Sequence, residues 1–579
     1  MKTTYATLAL LFALALSPAH AQTKSSLLWA TYFGGDSTTG GLGIVTDDSG
    51  NVYMTGGTYS DSMIATIGAY QTSNGGNEDA FLAKLSPSGN LLWATYYGGS
   101  GEDYGGGVTI DKSGNIYMAG TTNSSSGIAT FDAYKTKPGG TFLAKFSNRG
   151  SLLWATYYGN NDNDEGGAIA IDSSGNVYMA GYTQSDSGIS TSGAYQTSYA
   201  GGGDAFLAKF NPSGNLLWGT YFGGKKYDAG SDIAIDASEN IYMIGTTQSD
   251  SNIATSGAYQ TIGNSKNGDA FLAKFNPSGS LLWATYYGGL LKDEGSFVPY
   301  SNGGYGVTAD KSDDIYITGT TSSAVGLATS GAYQTSGDSI NGDAFLANFN
   351  PSGSLIWGTY YGNNDQGVDI ATDTFGNVYM TGATLSTSPI ATSGTYQSFN
   401  AGGYDGFITK FNSSDSLVWA SYYGGSGDDL SSDITIDKTG NIYIDGETQS
   451  SSSIATSGAY QTFFTGSNDN YNAYLAKFSL SVLTGVSTSL EAYNNWKIYP
   501  NPFSELTTIN YTLSNSSHTQ VSVTDLNGKL VTMLLDENQE SGNYNLQFDA
   551  SKYNCRAGIY IVKMETDKEV ITSKIIKLN

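Results

Sequence analysis

Short runs of alternating apolar and polar residues recur along most of the chain, each bounded by Gly, Asn, Ser or Asp. Within one repeat, VTID and NIYMAG flank a Gly-containing turn, and AFLAKF and LLWATYY flank a second turn, as at residues 211–215. β-Branched and aromatic residues in this alternation predict strands, and no stretch has helical periodicity. Each repeat of about 64 residues therefore predicts four strands.

Seven tryptophans mark the repeats. They are spaced 64, 61, 64, 65, 74 and 62 residues apart, at Trp29, Trp93, Trp154, Trp218, Trp283, Trp357 and Trp419. Seven four-stranded units predict an all-β, seven-bladed β-propeller over residues 22–480. The first unit begins with its fourth strand, Leu27 to Phe33, and the last ends with its third, Ala473 to Phe478. We expect the N-terminal strand to complete the last blade and close the ring, which hides two sheet edges.

The repeated motifs WATYYGG, IDxxGNxYM and DAFLAKF resemble the bacterial β-propeller repeat called SBBP. This resemblance covers nearly all of residues 27–479 and implies a propeller fold. It implies no reaction.

Residues 496–579 lose the repeat and predict a small C-terminal β-sandwich, with residues 481–495 as a linker. Their motifs closely resemble the type A C-terminal sorting domain of the type IX secretion system: Tyr499, Pro500, Asn501, Pro502, Phe503, Asp525, Gly528, Gly558, Ile559, Tyr560 and Lys574 to Lys577. The resemblance implies contact with that machinery and export through the periplasm, to be secreted or held at the outer-membrane surface. The alternative is an accessory binding sandwich.

The N-terminus predicts a secretory signal peptide over residues 1–21. Lys2 precedes an apolar run from Leu8 to Leu16, which is too short to span a bilayer, and Ala19-His20-Ala21 has the pattern of a cleavage site. No other apolar run is long enough for a transmembrane segment. The lone Cys555 leaves no partner for an internal disulfide.

The predicted propeller is strongly acidic, with 17 Lys and Arg against 41 Asp and Glu over residues 22–480, a net charge of −24. Phosphate-rich partners such as nucleic acid would be repelled, whereas cations, basic surfaces and neutral ligands are favoured. After signal cleavage His518 is the single histidine, so the propeller has no Ser-His-Asp triad, Cys-His pair or HExxH zinc site. No catalytic residue stands out. A surface or secreted binding protein for a glycan or a protein is favoured, and a polysaccharide hydrolase or lyase using two carboxylates is the alternative.

Acidic residues recur in three sets. The first opens the first hairpin turn of every unit and is expected to cap that turn: Asp47, Asp111, Asp172, Asp236, Asp310, Asp373 and Asp437. The second precedes the third strand, as partners of the lysines in that strand or at the rim: Asp79, Asp204, Asp269, Asp343 and Asp405. The third lies between units and supplies candidate Ca²⁺ ligands, although no loop has the DxDxDG spacing: Glu102, Asp103, Asp164, Glu165, Asp428 and Asp429.

Strand parity places the long IATSGAYQT loops and the connections between units on one face. The connection from Gly288 to Gly306 is the one large departure from repetition, about nine residues longer than its equivalent in the second repeat. Insertions in repeat proteins map to loops on one face, often the binding face. We therefore predict a ligand site there, or a loop that plugs the channel. Its candidate residues are Lys292, Asp293, Glu294, Phe297, Tyr300 and Tyr305.

Overall fold

The computed structural model describes residues 22–160, 163–263, 268–289, 306–338, 342–387, 390–466, 470–483, 496–513, 515–525, 529–566 and 570–578. It divides into two compact units, Lys24–Ser481 and a C-terminal unit that starts at Val482. All regular elements in these ranges are strands, which confirms the all-β prediction. None of the described residues belongs to a helix able to span a membrane.

The larger unit contains seven four-stranded sheets within the described ranges. Strand β1 (Gln22–Phe33) is followed by the first sheet, β2 (Thr39–Thr46), β3 (Val52–Thr58), β4 (Asp79–Leu85) and β5 (Leu91–Tyr97). The second sheet comprises β6 (Asp103–Ile110), β7 (Ile116–Thr122), β8 (Thr141–Phe146) and β9 (Leu152–Tyr158). The third comprises β10 (Glu165–Ile171), β11 (Val177–Thr183), β12 (Asp204–Phe210) and β13 (Leu216–Phe222).

The remaining sheets repeat this order. The fourth comprises β14 (Asp228–Ile235), β15 (Ile241–Thr247), β16 (Asp269–Phe275) and β17 (Leu281–Tyr287), and the fifth β18 (Val307–Ala309), β19 (Ile315–Thr321), β20 (Asp343–Phe349) and β21 (Leu355–Tyr361). The sixth comprises β22 (Asp365–Thr372), β23 (Val378–Thr384), β24 (Asp405–Phe411) and β25 (Leu417–Tyr423). The seventh combines β26 (Asp429–Ile436), β27 (Ile442–Thr448) and β28 (Asn472–Leu483) with β1, which lies beside β28.

The first strands of successive sheets contact one another from β2 to β26, and β26 in turn contacts β2. Second and third strands are buried along nearly their whole length because neighbouring sheets cover both of their faces. Strand β1 is tied into the seventh sheet, where the Tyr32 hydroxyl donates to the Ser450 carbonyl at 2.8 Å. Strand β28 runs to Leu483 and so extends three residues into the predicted linker, whose remainder lies outside the described residues.

The repeated tryptophans join neighbouring sheets. The indole N–H of Trp218 donates to the Pro277 carbonyl, in the turn before the last strand of the next sheet, at 3.1 Å. Five other tryptophans make the same bond. The seventh sheet has no such turn, because β28 and β1 come from distant parts of the chain. The indole N–H of Trp419 is therefore buried without a partner.

The long loop between the second and third strands does not stay on one face. It runs along the outer edge of the fourth strand, where Thr66 N–H donates to the Ala94 carbonyl at 2.9 Å and Tyr96 N–H donates to the Gln71 carbonyl at 3.2 Å. Strand parity correctly predicted the end of the sheet at which each loop leaves. It could not show that the loop then covers the exposed sheet edge, which would otherwise invite pairing with another chain.

Two of the repeated polar sets are structural. The hairpin aspartates cap their turns, as Asp47 does for the N–H groups of Ser49 and Asn51 at 2.9 Å. They also pair with the third-strand lysines, as in Lys209–Asp172 at 3.1 Å. The expectation that Asp79 and its equivalents pair with these lysines was wrong, because the lysine points to the other end of the sheet.

The C-terminal unit is built from two packed sheets. Its strands are β29 (Trp496–Tyr499), β30 (Leu506–Leu513), β31 (Ser517–Asp525), β32 (Leu530–Gln539), β33 (Gly542–Asp549), β34 (Gly558–Thr566) and β35 (Val570–Lys577). One sheet has the order β29-β30-β33 and the other β32-β31-β34-β35. Ile509, Val523 and Phe548 lie in its core with at most 2 % exposure. The sheet arrangement accords with the predicted sandwich.

Candidate functional site

Three aspartates occupy one structural position on the innermost strands of the larger unit. A β-bulge interrupts the pairing of the first two strands, for instance between Ser431 and Asp433. The residue after this bulge is Asp232 in β14, Asp369 in β22 and Asp433 in β26. At the same position the other sheets have Gly43, Gly107, Ala168 and Gly306. The aspartates therefore depart from the repeat.

Each of these aspartates accepts a hydrogen bond from the first strand of another sheet. Val307 N–H donates to Asp232 at 2.8 Å, Ile434 N–H donates to Asp369 at 3.0 Å, and Ile44 N–H donates to Asp433 at 2.8 Å. All three keep partial solvent exposure although protein surrounds them. They thus join neighbouring first strands and present carboxylates to the narrow space between those strands.

Asp369 and Asp433 are hydrogen-bonded to each other through their carboxyl groups. Burial raises the pKa of both, and the Asp433 charge raises the pKa of Asp369 further. Burial raises the pKa of Asp232 to about 7. Asp232 therefore changes charge near neutral pH.

The seventh sheet adds two acidic residues that no other sheet has at these positions. Asp445 lies on β27 directly opposite Asp433, and Glu447 follows two residues later. The equivalents of Asp445 are Thr55, Ala119, Ala180, Ile244, Thr318 and Thr381. Asp445 is fully buried, and neither of its carboxylate oxygens has a hydrogen bond of normal geometry, although backbone N–H groups of Asp433 and of Asp445 itself lie nearby.

Glycines of β2 make room for these carboxylates. A Cβ atom on Gly41 would lie 2.9 Å from Asp445 Oδ2, and one on Gly40 would lie 2.2 Å from Glu447 Oε1. Any larger residue at Gly40 would displace the Glu447 side chain. The seam between the seventh and first sheets is therefore shaped around the two acids.

The acids continue outward to the end of the sheets where the connections lie. Burial raises the pKa of Glu447 to about 8, and the neighbouring Glu78 carboxylate adds to the shift. Burial also raises the pKa of Glu78 to about 7, opposed by a hydrogen bond from Tyr59. Glu102, beyond Glu78, is exposed. We call Asp433, Asp445, Glu447, Glu78 and Glu102 the acidic column.

No lysine or arginine in the described part of the chain forms an ion pair with the acidic column. Four of its carboxylates are thus buried or partly buried without a basic partner, which is costly unless protons or an external cation compensate the charge. Sequence reasoning did not single out the buried members. The signal was Asp-Gly-Glu at residues 445–447, where the second repeat has Ala-Gly-Thr.

The six residues of the predicted ligand site, Lys292, Asp293, Glu294, Phe297, Tyr300 and Tyr305, lie outside the described residues, and this site stays a prediction. The predicted Ca²⁺ ligands do not converge as adjacent pairs. Asp103 is fully buried whereas Glu102 points outward, as alternation along a strand requires. Asp164 and Asp429 are likewise buried, Glu165 is exposed, and Asp428 accepts a bond from Tyr404 N–H at 2.9 Å. Among the described residues, no group of three or more His, Cys, Asp or Glu is arranged to hold a metal.

The sorting motifs, although distant in sequence, meet in the C-terminal unit. Asn501 donates to the Lys574 carbonyl at 2.8 Å and accepts from Ile576 N–H at 2.9 Å. Gly558 is paired with Lys577 on the neighbouring strand. Tyr499 is exposed and Tyr560 is buried, while Gly528 lies outside the described residues. The Tyr499–Phe503 segment is therefore held against the final strand.

Family comparisons match both parts of the chain. A family model described as a beta-propeller repeat matches residues 92–127, 153–188, 217–252, 356–388 and 418–452. A second model, described as a secretion system C-terminal sorting domain, matches residues 497–578.

Among curated proteins, the chain is similar to the regulatory protein FlaEY of Caulobacter vibrioides, with 24% identity over 411 residues. The match covers 66% of this chain and 34% of that protein. An uncharacterized WD repeat-containing protein of Acanthamoeba polyphaga mimivirus is 24% identical over 198 residues, which are 29% of this chain and 14% of that protein. The chain thus spans only a minor part of both relatives.

Solved structures with a similar trace include a streptogramin B lyase, with a TM-score of 0.41, 10% identity and coverage of 80% of this chain and 100% of that one. A polysaccharide lyase described as an ulvan lyase of family PL25 has a TM-score of 0.37 and 12% identity, over 72% of this chain and 92% of that one. Likeness at this level carries no inference about function. The family matches do: this chain contains SBBP-type β-propeller repeats and a type IX secretion sorting domain, which marks it as a protein exported to the cell surface or the extracellular space.

Proposed function

We propose that the exported protein is a non-catalytic binding module, a seven-bladed propeller closed by its N-terminal strand, that recognises a basic segment of a partner protein. The observation that carries this proposal is the acidic column, which begins at exposed Glu102 and continues inward without an ion pair to any lysine or arginine of the described residues. A lysine or arginine of a partner protein would compensate the charge of these carboxylates, and would so remove the energetic cost of burying them unpaired. Charge complementarity of this kind sets specificity and the rate of encounter.

Closure of the ring is supported by three contacts. The described first strands touch in succession and β26 touches β2, β1 is the neighbour of β28, and Asp433 accepts a hydrogen bond from Ile44 of the first sheet. In a closed ring the space between the first strands is a central channel. Asp232, Asp369 and Asp433 would then line this channel.

The arrangement of carboxylates argues against a glycan hydrolase. A retaining glycosidase needs its two carboxyl groups about 5 Å apart and an inverting enzyme needs them further apart, so that the sugar fits between them. Asp369 and Asp433 instead touch through a hydrogen bond and also bind backbone N–H groups. No room remains between them for a glycosidic bond.

A protein partner is favoured over a glycan because the body of the propeller has a net charge of −24. This charge attracts basic peptides and repels acidic polysaccharides. The exposed tyrosines that could stack on neutral sugars are half covered by neighbouring aromatic rings, as Tyr195 is by Phe222 and Phe275.

The test is calorimetric titration of the full chain with a blocked tetralysine peptide. We expect binding at pH ~9, where Glu447 is ionised and lysine is still charged, that weakens as salt is added. We also expect a loss of affinity of about fivefold or more in Glu102→Gln and Glu447→Gln, since each then removes a charge from the column. Asp132→Asn is the matched control, because Asp132 is an exposed acid on the outer loop of the second sheet. It should bind as the parent does.

Equal weakening in Asp132→Asn would show that the peptide senses only the general negative charge, and would overturn the proposed site. Tetraserine serves as the uncharged control peptide. Binding of neutral oligosaccharides that is unchanged in both column variants, with no binding of tetralysine, would instead assign the propeller to glycans.

A further inference from the structure

Pairs of buried aspartates recur where one sheet leads into the next. In each pair, one aspartate starts the third strand of a sheet and the other precedes or starts the first strand of the following sheet. Four described seams contain such a pair with an unpartnered oxygen, and in three of them that oxygen belongs to the aspartate that starts the third strand: Asp79 with Asp103, Asp204 with Asp228, and Asp405 with Asp429. All six side chains are fully buried.

The two carboxylates of a pair approach each other across a glycine. A Cβ atom on Gly98 would lie 2.4 Å from Asp79 Oδ1 and 2.8 Å from Asp103 Oδ2. The corresponding distances at Gly424 are 2.5 Å to Asp405 Oδ1 and 2.8 Å to Asp429 Oδ2. Both carboxylates therefore face one small space, which only a glycine leaves open.

In each of the three pairs, one carboxylate oxygen has no hydrogen-bond partner. Asp103 accepts from Gly99 N–H and the Ser124 hydroxyl, each at 2.7 Å, and from the Thr122 hydroxyl. Asp79 Oδ2 accepts from Gln71 and from Gly75 N–H. Asp79 Oδ1 has no partner, and neither do the same oxygens of Asp204 and Asp405.

An unpartnered carboxylate oxygen buried beside a second carboxylate needs a proton or a cation. Ca²⁺ prefers carboxylate and backbone carbonyl oxygens, and completes its shell with water. We propose that these three seams bind Ca²⁺, each through its two aspartates, with backbone oxygens and water as the remaining ligands. The sites share Asp103 and Asp429 with the ligands predicted from the sequence, and replace the neighbouring Glu102 and Asp428 by aspartates of the preceding sheet.

The same chain contains seams that lack this arrangement. Between the second and third sheets, Thr141 replaces the first aspartate and donates to the Tyr158 carbonyl at 3.1 Å. Between the seventh and first sheets the two positions are Asn472 and Thr39. Between the fifth and sixth sheets the unpartnered oxygen belongs to Asp365 instead, and both oxygens of Asp343 accept backbone N–H groups, from Asp338 at 2.6 Å and from Asn364 at 3.1 Å.

The experiment compares the chelated full chain with a variant in which Asp79, Asp204 and Asp405 are all replaced by Asn. After dialysis against micromolar Ca²⁺, atomic emission should count three more ions per parent chain than per variant chain. Adding 1 mM Ca²⁺ should raise the Tm of the parent by about 5 °C, because a ligand that binds only the folded state stabilises it, and should leave the variant unchanged. Asp132→Asn, which changes an exposed acid outside the seams, is the control and should lose no ion.

Equal ion counts in parent and triple variant would overturn the proposal. The proposal would also be overturned if Ca²⁺ left the Tm of the parent unchanged while that Tm fell as the pH rises from 6 to 8, because protons would then occupy the pairs. If the triple variant does not fold, the three single Asn variants replace it, and each should lose one ion.

Discussion

The seam between the third and fourth sheets and the seam between the seventh and first sheets place their carboxylates differently. The first has Asp204 and Asp228 where the sheets are connected, and apolar or small residues such as Ala180 further in. The second has Asn472 and Thr39 at the equivalent positions. Further in, it has Asp445 and Glu447 on β27, and Asp445 is the structural equivalent of Ala180. Acidic charge moves from the connection into the interior at the seam whose fourth strand, β1, is not joined by a turn to the third strand of its own sheet, β28.

This difference separates two ways of holding neighbouring sheets together. Both seams are crossed by a short connection, residues 223–227 between β13 and β14 and residues 34–38 between β1 and β2, but only β13, at what we call the ordinary seam, is also joined by a turn to the third strand of its own sheet. The seam between the seventh and first sheets, which we call the closing seam after the proposed closure of the ring, depends on strand β1 and on contacts such as Ile44 N–H to Asp433. Its strength should therefore depend on β1 and on the protonation of the interior acids, whereas the ordinary seam should respond to neither.

The largest effect should come from deleting Leu27–Phe33. The deletion removes the buried side chains of Trp29, Tyr32 and Phe33, worth together about 6 kcal/mol, against a net stability of about 5–15 kcal/mol for a typical protein. We expect aggregation or loss of the cooperative unfolding transition, measured by size-exclusion chromatography and calorimetry. Deleting residues 496–579 is the control and should leave the propeller transition in place. A soluble strand deletion with the parent Tm would contradict the role of β1.

A smaller effect is expected from pH. A carboxyl group whose pKa is raised by folding stabilises the protein fully below its unfolded value, and that contribution is lost as the pH rises through the folded value. For Glu447 and Glu78 the folded pKa values are about 8 and about 7. Between pH 6 and pH 9 the Tm should fall by about 5 °C.

Glu447→Gln should flatten that pH profile, because glutamine keeps the shape of the side chain and cannot ionise. Asp132→Asn should keep the parent profile. If Glu447→Gln and the parent lose stability in parallel across this range, the interior acids of the closing seam do not govern it.

The smallest effect is expected for charged groups on the surface of the closing seam. Lys438 pairs with Asp48 across this seam at 2.6 Å, but both side chains are more than two thirds exposed. Lys438→Ala should change the Tm by no more than about 1 °C. Lys209→Met at the ordinary seam should lower it by about 5 °C, since it leaves the buried Asp172 without its partner. Equal shifts in the two variants would contradict this ranking.

The strands and their order could be predicted from the sequence because local alternation, turn residues and repetition all agree. The partner of β1 could be inferred as well, because the chain begins with a lone fourth strand and its last repeat ends after the third strand. The sorting motif could be recognised from residues such as Asn501, although its packing against the final strand could not.

The acidic column could not be predicted from alternation. The bulge before Asp433 shifts the pairing by one residue, and a shift of one residue moves a side chain to the other face of the sheet. Asp445 and Glu447 could have been noticed by aligning the repeats, but their burial depends on glycines of β2, which are about 400 residues away in sequence. Similarly, Asp79 and Asp103 belong to different sheets and meet only at Gly98, which follows the last strand of the first sheet.

The position of β1 also bears on how the chain reaches its native state. Tyr32 bonds to Ser450 across 418 residues, whereas Tyr96 makes the same bond to Ser60 across 36. Loop-closure entropy grows only with the logarithm of length, so the distant contact costs only about 2 kcal/mol more than the local one. What changes is timing: the other sheets can assemble as soon as their own segments are available, but the seventh must wait for both ends of the propeller. Until then its outer edge stays open, and folding intermediates with that edge exposed are the species that a chaperone would need to shield.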